Sequence, residues 1–95
     1  MITREQVLAA VASAFPHADR ATVMAMLDLY GVERFERERE RVQLDIILLS
    51  AGDLDRLRSH VQVAKRDYRD ILFWAEYRDS DRGDAREIRS LRDMQ

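Results

Sequence analysis

A chain of 95 residues makes one small domain, which buries only about 60–65% of its unfolded surface, so a second independent core is excluded. With 46% hydrophobic and 36% charged residues, three Gly and one Pro, it is too apolar for a disordered chain and too poor in turn formers for a multi-stranded sheet. Sixteen basic residues against eighteen acidic ones give a net charge of −2, which removes any whole-molecule attraction to nucleic acid or an anionic membrane, and the absence of cysteine removes disulfide, thiolate-zinc and cysteine-nucleophile chemistry.

The expected fold is all-α. Thr3 and Gln6 have the spacing of a capping box, and Val7, Leu8, Val11 and Phe15 recur at helical intervals, which predicts a first helix over 4–14 that Pro16 ends. Neither a signal-peptide core nor a membrane span is legible in this segment, because Arg4 and Glu5 interrupt it; a cytoplasmic protein is the expectation. Asp19 is a good N-cap for a second helix over 20–30, with Val23, Met24, Leu27 and Tyr30 on one face and Gly31 where a left-handed cap is needed.

The stretch VERFERERERVQ alternates acid and base, which in a strand leaves neither face apolar. It is therefore read as helical, with Glu33–Arg37 and Arg34–Glu38 pairs at i, i+4. That third helix, over 34–51, continues into Leu44, Ile46, Ile47, Leu48 and Leu49, whose spread around the axis predicts a helix surrounded by protein, with Leu48 central. Asp45 within this run is read as one half of an edge ion pair with Arg41.

Gly52 ends that helix and Asp53 caps a fourth, over 54–78, where Leu54, Leu57, Val61, Ala64, Tyr68, Ile71 and Ala75 form an apolar seam at heptad spacing. Phe73, Trp74 and Tyr77 fall on the opposite side of the helical wheel, beside Arg66 and Asp70. These five residues are the candidate interaction surface, since large aromatics on a polar face need a partner. Residues 1–78 are read as a single domain. The polar segment 79–95 is a helical or disordered tail, in which Asp84 is placed to cap a short helix over 85–93 carrying Ile88 and Leu91.

Two resemblances bear on this reading. ASAFPHADRATVMAMLDLYG followed by VQLDIILLS resembles the ubiquitin-binding CUE and UBA three-helix domains, in which a Phe-Pro step joins the first two helices and a Leu-Leu pair closes the third. The likeness implies a packing template for about 40 residues, from which the charged insertion Glu33 to Arg41 departs. The region from YGVE through KRDYRD to WAEY is similar to small bacterial helical proteins with that signature, which implies a compact domain ending near Tyr77 or Arg78 and carries no activity. A bacterial source also accords with Lys65 being the chain's one lysine among many arginines.

No catalytic or metal-binding constellation is legible in the sequence. Arg56 followed by His60 resembles the Arg–His motif of HEPN ribonucleases but has fewer intervening residues than that family carries. His17 with Asp19, or Asp67 with Asp70, is too sparse for a metal, and no cofactor motif is present. Arg58, Arg66, Arg69 and Arg78 line one side of the fourth helix, but Asp55, Asp67, Asp70 and Asp79 interleave with them. The leading expectation is thus a non-enzymatic, self-associating protein–protein interaction module, a homodimer. A small nucleic-acid-binding regulator using the Arg-rich side of the fourth helix is the alternative, and an enzyme of unrecognised class the third.

Overall fold

A computed structural model describes residues 1–80 of the chain, with side chains described through Tyr77; the predicted tail helix with Ile88 and Leu91 lies outside the described residues. The fold is all-α. Its helices are α1 (Arg4–Ala14), α2 (Arg20–Leu27), α3 (Arg39–Ser50), α4 (Leu54–Arg66) and α5 (Tyr68–Ser80). Among the described residues, no helix is long and apolar enough to cross a membrane.

The side-chain N-caps read from the sequence are in place. Thr3 and Gln6 form the reciprocal capping box of α1, Asp19 accepts from the Thr22 amide at the start of α2, and Asp53 accepts from Asp55 and Arg56 at the start of α4. Gly31 is not the cap of α2, which closes on Asp28; it lies in the turn beyond with φ +103°, and a Cβ there would meet the Cγ of Arg39 at 2.5 Å, so backbone conformation and the covering arginine stem both favour glycine.

Helix α3 packs against α1, α4 and α5, which makes it the organising element. The core combines Val7 and Val11 of α1, Val23 and Leu27 of α2, Val42, Ile46 and Ile47 of α3, Leu57 and Val61 of α4, and Ile71 of α5. The buried face of α3 nonetheless differs from the apolar run. Val42, Gln43, Ile46, Ile47 and Ser50 point inward, whereas Leu48, predicted to be central, is 39% exposed.

Hydrogen bonding accounts for this inversion. The Gln43 amide donates to the carbonyls of Leu27 and Tyr30 at 2.9 and 3.2 Å, capping the C-terminal end of α2, while Ser50 Oγ donates to Ile46 O at 2.6 Å. Buried polar groups are tolerated where they pair in this way. Arg4 grips Asp28 through two hydrogen bonds of 2.6 Å, and Arg39 adds a third at 3.1 Å, so one carboxylate ties α1, the end of α2 and the start of α3. The Arg4 guanidinium holds the Asp28 carboxyl below its ordinary range despite partial burial.

Two predicted helices are shorter than their sequence patterns imply. Residues 33–38 are not helical, so the proposed Glu33–Arg37 and Arg34–Glu38 helix pairs do not form, and Glu38 instead pairs with Arg41 at 3.0 Å. The second helix likewise stops at Leu27, and Asp28 to Gly31 form a turn. The long fourth helix is two helices, interrupted at Asp67, whose backbone is extended at φ −158° and ψ 100°. Asp67 closes α4 through its own amide to Val63 O and opens α5 by accepting from the Arg69 amide at 3.1 Å. Its side chain competes successfully for backbone that a continuous helix would claim.

Candidate functional site

The break at Asp67 aims α5 independently of α4. Ile71 and Ala75 face the core, and Phe73 and Tyr77, one turn apart, are 63% and 62% exposed. Their rings stack with centroids 6.2 Å apart and planes 28° from parallel. Trp74 is 41% exposed and turns a different way, meeting His60 of α4 edge-on at 6.1 Å and 73°. Asp70 shares α5 with the aromatics and is exposed. Arg66 belongs to α4 and lines a separate cleft. The predicted surface therefore divides into a Phe73–Tyr77 pair, a Trp74–His60 contact and a guanidinium that sits elsewhere.

His60 is half-buried, and that burial pushes its pKa below the ordinary 6.5, with the charge of Arg56 acting in the same direction. Below pH 6.5 the unfolded chain accepts a proton that the folded chain resists, so stability is full above that pH and is lost as pH falls through it. Thermal melts from pH 7.5 to 5.5 are expected to show a falling midpoint for the parent and a flatter profile for His60→Gln. Identical slopes would remove His60 from the account.

The segment between α2 and α3 is built around a carboxylate. Glu36 Oε1 accepts from the amides of Gly31, Val32 and Glu33 at 3.0, 3.0 and 3.2 Å, and Oε2 meets Lys65 Nζ at 2.8 Å. The Glu36 side chain is 1% exposed. Burial alone would raise its pKa, but Lys65 and the converging amides outweigh that and hold it below the ordinary carboxylate value. Lys65 also donates to Leu29 O at 2.8 Å, which fastens the loop to α4. Tyr30, fully buried, donates its hydroxyl to Arg37 O at 2.6 Å and fixes the far end of the loop; burial, with the Glu36 charge, pushes its phenol pKa up.

Held this way, the loop sets Arg34, Phe35 and Arg37 opposite Arg66, Tyr68 and Arg69 across an open cleft of about 550 Å³, which Ala64 and the carboxylate of Asp67 also line. Phe35 is 63% exposed. Arg69 is engaged by Asp67 in a two-pronged pair of 2.9 Å contacts, whereas Arg34, Arg37 and Arg66 have no ion pair among the described residues. Sequence reasoning missed this cleft because it placed residues 34–38 on a helix. The one signal available was Lys65, a lone lysine 29 residues from the carboxylate it neutralises.

Among the described residues, no three His, Cys, Asp or Glu side chains converge as a metal ion would require. No protein-family model, curated protein or solved structure matches this chain.

Proposed function

We propose that the protein is a non-enzymatic interaction module that pairs with a second copy of itself through α5. The observation that carries this reading is the stacked, exposed Phe73–Tyr77 pair on the outer face of that helix. Fully burying an aromatic side chain of this size contributes roughly 1.5–3 kcal/mol, so two rings held in water forgo a sizeable part of a small domain's stability.

The geometry favours a like partner. Two rings one helical turn apart are self-complementary in an antiparallel helix pair, where Phe73 of each copy meets Tyr77 of the other and the helix dipoles oppose. Trp74 borders this face, and Asp70 lies on the same helix as a polar rim.

Sedimentation equilibrium of the full chain tests the reading. The parent is expected to associate, and the double variant Phe73→Ser/Tyr77→Ser to weaken association by roughly a hundredfold or more while keeping its helical circular dichroism. This pair is a cleaner probe than Trp74→Ala, which also removes the contact with His60. A parent that stays monomeric at millimolar concentration would sink the proposal.

A further inference from the structure

We infer that the cleft between the α2–α3 loop and the α4–α5 joint is a binding site for a nucleoside phosphate, independent of the α5 face. Its three unengaged guanidiniums, from Arg34, Arg37 and Arg66, come from two separate parts of the chain and line one cleft. Like charges gathered at one place repel, and the carboxylate that lines the cleft with them, Asp67, is engaged by Arg69; an anion bound among the other three relieves that repulsion. Guanidinium forks match phosphate oxygens in planar, two-bonded geometry.

The aromatic component narrows the ligand beyond a bare anion. Phe35 and Tyr68 line the same cleft, and Phe35 is 63% exposed. Three amides on Glu36, the Glu36–Lys65 pair and the Tyr30–Arg37 bond anchor the backbone on both sides of that ring. An exposed ring beside arginines is the arrangement on which a nucleobase stacks while its phosphate is gripped. The volume suits a small ligand, since such sites span about 300–1,000 Å³.

The same residues argue against a long polyanion. Asp67 lines the cleft beside the arginines, Glu33 and Asp70 adjoin Arg34 and Arg69 in the chain, and the net charge is −2, so the basic track accommodates one or two phosphates and then ends. The shared chemistry is a base joined to a phosphate, supplied by a free nucleotide or by the exposed end of a single strand.

Isothermal titration of the full chain with adenosine 5′-monophosphate, inorganic phosphate and a short oligoadenylate tests this. Adenosine monophosphate is expected to bind more tightly than phosphate, with Phe35→Ser abolishing that difference. Arg34→Ser and Arg37→Ser should each weaken nucleotide binding by about tenfold, and both side chains are exposed, so circular dichroism should not change. Equal affinity for the monophosphate and the oligomer supports the site with a free nucleotide as its source; tighter oligomer binding supports it with a strand end as its source. Absence of binding by both, or binding that survives the double variant Arg34→Ser/Arg37→Ser, overturns the inference. Because these residues lie off α5, sedimentation of the same variants should be unchanged.

Discussion

Replacing Ile71 with Ala is expected to lower stability by about 2–5 kcal/mol, whereas Leu48→Ala should cost roughly 1 kcal/mol or less. The two residues look alike in the sequence, each a branched aliphatic within an apolar stretch. Ile71 is fully buried on the inner face of α5, which packs against both α3 and α4, so truncating it leaves a cavity between three helices. Leu48 is 39% exposed, and its loss removes apolar surface that water already partly reaches. Urea midpoints of the two variants at equal slope provide the comparison. If Leu48→Ala proved as damaging as Ile71→Ala, the inward face of α3 would have to be rotated.

That contrast marks how far the sequence could be read. Local chemistry that acts within one turn was legible: the capping box at Thr3 and Gln6 and the aspartate caps at Asp19 and Asp53 sit where spacing alone puts them, whereas Gly31 has its positive φ in the turn beyond α2 and not as that helix's cap. The all-α class and the inward seam of Leu57, Val61, Ala64, Ile71 and Ala75 follow from periodicity in the same way. What periodicity cannot register is the pairing of buried polar groups across long separations. Gln43 and Ser50 look like surface residues until the carbonyls they satisfy are brought to them, and Glu36 looks like one more charge in an alternating run until Lys65 arrives.

Asp67 shows the same failure at shorter range. The heptad seam runs through it without a fault because a one-residue break leaves the spacing of Ala64, Ile71 and Ala75 close to intact. Only the carboxylate's choice of the Arg69 amide reveals the joint. The joint has two consequences. It places Tyr68 and Arg69 at the cleft, and it frees α5 to take its own direction, so the exposed Phe73 and Tyr77 are no longer bound to the outer face of a straight 54–78 helix.

The loop between α2 and α3 carries the second large effect. Glu36→Ala is expected to cost about 3 kcal/mol, because it strands three amides and the Lys65 ammonium at once. The figure sits at the lower end of what breaking a buried pair costs, since the Lys65 side chain is 32% exposed and regains water when its partner goes. Glu36→Gln should cost less: its carbonyl oxygen still accepts from the amides of Gly31, Val32 and Glu33, while its amino group turns a donor toward Lys65. Lys65→Met leaves a carboxylate buried without its cation and should be more damaging than Glu36→Gln. Combined as Glu36→Gln/Lys65→Met, the two losses should fall short of their sum, since neither uncompensated charge remains. Acid supplies an independent reading of the same pair. The folded pKa of Glu36 lies below its ordinary 4.5, so its contribution is fully present above that pH and is lost as pH falls through the folded value. Asp28, lowered from 3.8 by Arg4, adds a second loss at lower pH. The parent's urea midpoint should therefore drop from pH 5 towards pH 3, and Glu36→Gln should remove the upper part of that decline and leave the part due to Asp28. A Glu36→Gln profile parallel to the parent's would mean that the carboxylate is no more strongly held folded than unfolded, and the loop would then owe its shape to Tyr30 and Gly31 alone.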